Sequence, residues 1–434
     1  MVRLASSIKT IDSLKGDWIM TDIKAEESGV FFYQGAENIG GQECLKSIKK
    51  KIAELSNIRN VSFLLGAGAS SYAIPSMKVM QEKIALNLGE DVEIDGNVSD
   101  LYQSVNSDNL ETILTILYAK KHYLEGTTDD KPPEKGNAKP SEMDNVKSLI
   151  KHIERAMYSA INIDLSSGKA KINLELYKKF YQKIVLRNKD LSRISIFTTN
   201  NDLLSEKALD ALNINFNNGF GGGLDRVFNP ARFHYTFSKK IDANLEKFEP
   251  LDNMVYLHKL HGSISWVEQE NNSLFNIQEI PVIGGQLKGD KKHVLIYPTP
   301  LKQTQSLGSP YSDLIREFQT KLSLPNSVIF IIGYSFSDEH LNNIIYQSLA
   351  SNSSISVVIF GDCADCPLVK IRDNRIYRIF GTDEAKPYGE DKDNNIHYFK
   401  YIVEQLLSNV DDNADATLLE AFTSSLKALK SDDS

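Results

Sequence analysis

The chain has 434 residues, of which 41% are hydrophobic and 24% charged, and 57 acidic against 49 basic side chains leave a net charge of -8. That length exceeds one small domain and suits two or three units, or one core with a large insertion. The acidic balance gives no global pull toward nucleic acid or an anionic membrane. The three cysteines, Cys44, Cys363 and Cys366, are too few for a disulfide-built secreted fold. No apolar run reaches the ~18 residues of a membrane span, and "MVRLASSIKTIDSLKG" lacks a signal-peptide core, so a reducing cytoplasm is the expected compartment.

In chain order, residues 1–60 form a mixed, polar N-terminal extension that ends in an expected helix, "GGQECLKSIKKKIAEL". A strand at Val61–Leu65 follows, and Pro75 then stands near the first turn of a helix through Leu88, where a missing N–H is harmless. "DNLETILTILYAKKHYL", "MDNVKSLIKHIERAMYSAI" and "NLELYKKFYQKIVL" show helical apolar spacing and define a helical insertion over residues 96–189. "EGTTDDKPPEKGNAKPSE" between the first two has no core-forming residues and reads as a mobile surface loop. A local basic patch at Lys120, Lys121 and His122 stays open at this level.

After residue 190 short β-rich runs alternate with helical stretches. The runs are "ISIFTT", "MVYLHKL", "HVLIYPT", "SVIFIIGYS" and "SISVVIFG", several of them apolar throughout, as in strands buried on both faces of a parallel sheet. Helices are expected at "NDLLSEKALDAL", "PYSDLIREFQTKL" and "SDEHLNNIIYQSL", and at residues 397–409 and 417–430. The fold class is therefore α/β, a Rossmann-like open parallel sheet with a large helical insertion and C-terminal helices. Its core covers residues 61–95 and 190–400, and residues 401–434 carry the C-terminal helices.

Five motifs carry candidate chemistry. "FLLGAGASSYAIPS" is a strand, a Gly66-Ala67-Gly68 turn and a helix start, a form in which backbone amides meet a phosphate. A plain tight turn is the competing reading, and a dehydrogenase fingerprint would need glycine at Ser71 and an acidic residue ending a second strand. "IFTTNNDLLSEKAL" ends a strand in Thr198, Thr199, Asn200, Asn201 and Asp202; a helix cap by Asn201 or Asp202 explains one of these, not the row. In "YLHKLHGSISW", His261 is expected on a turn at a strand end, whereas His258 reads as a buried core histidine. In "VIFIIGYSFSDEHLNNII", Ser337 or Asp338 caps the next helix, and Asp338 and His340 read as first-turn residues that suit the helix dipole. Cys363-x-x-Cys366 is at most half a zinc site and reads as two incidental thiols.

Taken in order, Gly66-Ala67-Gly68-Ala69-Ser70, Thr198-Thr199-Asn200-Asn201-Asp202, His261-Gly262 and Gly333-Tyr334-Ser335 resemble the sirtuin family in its bacterial, defence-associated branch. "NNGFGGGLDRVFNPARF" is similar to the segment that follows the threonine–asparagine motif in that branch, and the resemblance spans residues 61–365. It implies a core that binds NAD as substrate, with Gly66, Ala67, Gly68, Ser70, Thr199, Gly333 and Ser335 at the cofactor and Asn200, His261 and Asp202 as catalytic residues. Deacylating sirtuins carry four zinc-binding cysteines after the His-Gly motif; residues 263–300 contain no cysteine, so no zinc is expected and deacylation is disfavoured.

The resemblance further implies an NAD glycohydrolase of anti-phage defence that depletes NAD, a homo-oligomer, and a separate HerA-type ATPase as partner. Any contact with nucleic acid would be indirect, through such a complex. The leaving nicotinamide is already cationic and departs neutral, so the carboxylate pair of most glycosidases is not required. The alternatives are an NAD or ADP-ribose sensor that controls a partner, a subunit of a nucleic-acid-processing complex, and a protein deacylase.

Overall fold

Apolar runs with no polar alternation become strands covered on both faces. The computed structural model describes residues 29–407, apart from 42, 91–95, 106, 108–109, 128–140, 186, 189, 243–245, 270–275, 285–292, 296–308 and 383–394. The strands are β1 Val30–Gln34, β2 Glu37–Asn38, β3 Asn60–Leu65, β4 Ile194–Thr198, β5 Asn215–Asn217, β6 Phe220–Gly221, β7 Arg226–Phe228 and β8 Ser238–Lys240. They continue as β9 Phe248–Pro250, β10 Met254–Lys259, β11 Gly262–Glu268, β12 Ile277–Glu279, β13 His293–Leu295, β14 Ser327–Ile332, β15 Ile355–Phe360 and β16 Ile376–Gly381.

Nine of them form one sheet in the order β2-β1-β16-β15-β14-β3-β4-β10-β5, parallel from β16 to β5 with β1 and β2 added antiparallel at one edge. From β3 the chain steps one way through β4 to β10, then returns to β14 on the other side of β3 and steps outward through β15 to β16. That reversal is the switch point at which open α/β sheets leave a crevice beyond the strand ends. The Rossmann-like class expected from the sequence is present.

Alternate residues of β3 face opposite cores, as the strand period requires. Val61, Phe63 and Leu65 join one cluster with Ile48 and Ile52 of α1 (Cys44–Ser56) and with Tyr177 and Phe180 of α6 (Gly168–Val185). Leu64 joins the other with Phe318 of α8 (Tyr311–Leu322) and Leu341 and Ile345 of α9 (Glu339–Ser351). Phe63 stacks on Phe330 at 5.1 Å and meets Phe180 edge-on at 5.2 Å, contacts worth about 0.5–1.5 kcal/mol each beyond burial.

The helices α2 (Met77–Glu90), α3 (Gly96–Ser104), α4 (Leu110–Thr127) and α5 (Glu142–Ile161) enclose a separate core of Met80, Ile84, Leu114, Leu117, Leu149 and Ile153. Ser141 caps α5 in a capping box with Asp144. The loop expected to be mobile, 125–142, lies largely outside the described residues. Lys120 pairs with Glu142 at 2.6 Å, and both Lys121 and His122 lie against Glu125, so each side chain of the basic cluster faces a carboxylate.

Three sequence expectations change. "HVLIYPT" was expected in the parallel sheet, yet His293–Leu295 pairs antiparallel with β11 in a second sheet of order β13-β11-β12-β7-β6. Residues 30–34 of the extension form β1, against β16; neither strand stands out in sequence because Tyr33, Gln34 and Arg378 interrupt the apolar pattern. The helix expected at 397–409 is one α turn, Phe399–Tyr401, followed by a π turn to Leu406, and 417–430 lies outside the described residues.

At the switch point, Gly66 N donates to Ile332 O and Gly68 N to Gly333 O, both at 2.9 Å. Gly333 has φ +64, and a Cβ on it would stand 2.6 Å from Ala69 N and 2.7 Å from Gly68 Cα. Gly333→Ala should therefore cost about 2–4 kcal/mol in denaturant unfolding, combining left-handed strain with overpacking against backbone. Gly41→Ala, at φ +59 with nothing within 4 Å, should lose only about 1–2 kcal/mol; equal losses would show that the contact is not tight.

Candidate functional site

Four neighbouring parallel strands end in register. Ile332 pairs with Leu65, Leu65 with Thr198, and Thr198 with Lys259. The next residues are Gly333, Gly66, Thr199 and Leu260, so the motifs singled out in the sequence leave the sheet side by side at its C-terminal edge. Thr199 N donates to Leu65 O at 3.1 Å and Leu260 N to Thr198 O at 2.8 Å, which extends the ladder into the loops. Asn201 Nδ2 donates to His261 O at 2.7 Å and Gly262 O at 3.2 Å, fastening the asparagine turn to the histidine turn.

Ser70 is the hub beneath this edge and is only 2% exposed. Its hydroxyl donates to Asp202 Oδ2 at 2.8 Å, receives Asn200 Nδ2 at 3.0 Å, and lies 3.0 Å from the Tyr177 hydroxyl. Burial, then the Asp202 charge, drives the Tyr177 phenol well above its ordinary value, so it stays protonated and donates to Ser70. One donated and two accepted hydrogen bonds complete the capacity of a hydroxyl. Ser70, expected at the cofactor, has its hydroxyl committed to orienting Asn200 and Asp202.

Asn200 spends its other amide hydrogen on Gly66 O at 3.0 Å. Its Oδ1 then remains the acceptor without a hydrogen bond among the described residues. Asp202 is buried, and its Oδ1 accepts from Leu204 N at 2.9 Å at the start of α7 (Leu204–Ala211). Lys259 Nζ donates to Asp202 O and pairs with Glu206 at 3.0 Å, both partners buried. Burial pushes the Glu206 carboxyl up while the Lys259 charge opposes it. Removing one member of such a buried pair costs ~3–5 kcal/mol, so this end of β10 is firmly tied to the asparagine turn.

His261 occupies the two-residue turn between β10 of the parallel sheet and β11 of the antiparallel one, and Gly262 at φ +80 permits the reversal. Its Nε2 lies 3.0 Å from Asp338 Oδ2. Ala67, Gly68 and Ser335 are exposed around the same edge, and Thr199 is half-buried. Gly66 and Gly333 serve the close approach of the two loops to each other. A mostly apolar cavity of about 390 Å³ opens beside Asp202, lined also by Ile74, Ile161, Leu203, Ile264 and Ile283.

Tyr177, Lys259 and the pairing of Asp338 with His261 are missing from the sequence reading. Asp338 is legible only as a helix cap, and Tyr177 only as one apolar-face position of a helix. His258 is fully buried between Phe197 and Phe233, at ring distances of 4.5 and 4.4 Å. Cys366 N donates to Cys363 O in a turn, and no group of three metal-ligating side chains occurs among the described residues. No helix among them is long and apolar enough to cross a membrane.

The sequence model of the SIR2-like domain matches residues 194–362, under half of the chain. A solved structure described as "Structural Basis for the Mechanism and Regulation of Sir2 Enzymes" is similar at 11% identity over 83% of this chain and 96% of that one, with a TM-score of 0.33. No curated protein matches the sequence.

Desolvation, then the Lys321 charge, lowers the His258 pKa from 6.5 to about 3. A histidine held neutral in this way stabilises the fold above its unfolded pKa and loses that contribution as pH falls from 6.5 toward 3. Urea unfolding of the wild type should weaken over that window by up to about 1.4 kcal/mol per pH unit from this residue. His258→Leu should flatten the slope; an unchanged slope would place the acid sensitivity elsewhere.

Proposed function

We propose that the chain hydrolyses NAD at the nicotinamide–ribose bond, giving nicotinamide and ADP-ribose. The observation that supports this most is the state of Asn200. Both hydrogens of its amide are held by Gly66 and Ser70, which leaves Oδ1 as a fixed acceptor beside a histidine turn at the switch-point crevice. The SIR2-like match over residues 194–362 points to NAD as the ligand class.

The reaction needs no general acid. The C1′–N bond breaks, its electron pair goes to the ring nitrogen, and the pyridinium leaves as neutral nicotinamide. Water adds to C1′ and its proton passes to His261, so one proton is released overall. Asn200 Oδ1 accepts a hydrogen bond from the attacking water or a ribose hydroxyl and aims it. Asp202 acts from behind, holding Ser70 and through it Asn200, and its negative charge favours the cationic ribose. The exposed turn at Ala67–Gly68, with Thr199 and Ser335, would meet the phosphates and ribose. The cavity beside Asp202 would take a flat neutral ring. A cytoplasmic homo-oligomer that depletes NAD in anti-phage defence, partnered by a HerA-type ATPase, is the setting we assign to this activity. Protein deacylation is the weaker reading, because residues 263–300 contain no cysteine to build a zinc module.

Purified protein incubated with NAD, with and without the ATPase, should release free nicotinamide and ADP-ribose in equal amounts on a chromatographic assay. Asn200→Ala and His261→Ala should each lower turnover by at least about 100-fold, measured at a temperature where circular dichroism shows each variant folded, since Asn200→Ala also takes a hydrogen-bond donor from Gly66 and Ser70. Nicotinamide release by His261→Ala at the wild-type rate would remove the histidine from the mechanism.

A further inference from the structure

Asp338 does two jobs with two oxygens. Oδ1 accepts from His340 N at 3.0 Å and Leu341 N at 3.2 Å and so caps α9. Oδ2 lies 3.0 Å from His261 Nε2, and the two side chains are only 12% and 16% exposed. The loop carrying Asp338 is rigidly held. Gly333 and Phe336 both have positive φ, and Asn342 Nδ2 binds Phe336 O at 2.8 Å. The Tyr334 hydroxyl reaches Asp338 O at 3.2 Å and Asn342 Oδ1 at 3.1 Å. A left-handed non-glycine residue persists only where its surroundings over-determine it, so the position of the carboxylate is fixed before any ligand arrives.

We propose that Asp338 is a positioning residue for His261 in the hydrolysis proposed above, and that it selects the tautomer of the imidazole that accepts the proton. A carboxylate accepts only, so it holds the proton of neutral His261 on Nε2. The lone pair is thereby placed on Nδ1, which has no partner among the described residues. Nδ1 takes the proton of the attacking water, and the resulting imidazolium donates from Nε2 to Asp338 without a proton leaving that nitrogen. The same contact couples the first turn of α9 to the histidine turn between the two sheets, 77 residues away in sequence.

Asp338→Asn tests this without removing the cap, since asparagine caps helices as well as aspartate. The amides of His340 and Leu341 require an acceptor, so the carboxamide oxygen stays with them and its NH2 turns toward His261. That forces the imidazole proton onto Nδ1, where the base is needed. In the serine-protease triad such an inversion costs about 10⁴ in turnover. For Asp338→Asn the expected result is a fall in kcat of at least about 100-fold with KM and thermal unfolding unchanged.

Nitrogen NMR of ¹⁵N-histidine protein, with the His261 signals assigned by their loss in His261→Ala, reads the tautomer independently of activity. The wild type should show Nε2 protonated and Asp338→Asn should show Nδ1 protonated. Wild-type kcat in Asp338→Asn, or a wild type already protonated on Nδ1, would overturn the proposal. A wild type that releases no nicotinamide would remove the proposed hydrolysis, and the tautomer measurement would still decide the Asp338–His261 pairing.

Discussion

The contact between Gly333 and the Gly66–Gly68 turn leaves no space for a Cβ on either side, and the site is built outward from it. A Cβ on Gly66 would fall 2.4 Å from Gly333 O, so the loops after β3 and β14 touch backbone to backbone. These are the two strands between which the chain reverses direction across the sheet. Close approach brings the loops together at the mouth of the switch-point crevice while the exposed Ala67–Gly68 segment remains open to a ligand.

Behind the glycines lies a polar network buried between apolar layers, and each member fixes the next. Tyr177 comes from the helix covering one sheet face, Ser70 from the first loop, and Asn200 and Asp202 from the second. Asn173 of the same helix, fully buried, donates to Ala69 O at 3.1 Å and holds the loop from below. A buried network of this kind costs most when one member is missing, because the others lose partners they cannot replace with water. The helix α6 thus supports the site as well as the core, through the Tyr177 contact with Ser70 and the Asn173 contact with Ala69.

The polar groups that face outward are divided among separate loops. Asn200 follows β4, His261 follows β10, and Asp338 ends the loop after β14. In-register parallel pairing aligns those strand ends, and the hydrogen bonds from Asn201 to the His261 turn lock two of the loops together. The small antiparallel sheet begins one residue after His261, so the histidine sits where the chain changes from one sheet to the other.

Local chemistry determined much of this in advance. "SVIFII" and "ISVVIF" carry apolar residues on both alternating sets, which commits them to a sheet covered on both faces. Glycine spacing marked the turns, and Asp338 was legible as a cap because capping depends on neighbours two and three residues away. Edge strand β1, the short strands of the second sheet and the commitment of Ser70 were not legible. A three-residue strand is defined by its partner, and a hydroxyl's partners depend on which loops the sheet register brings to it. The pairing of His261 with Asp338 belongs to the same class: each residue was visible, but only the alignment of β14, β3, β4 and β10 decides that one faces the other.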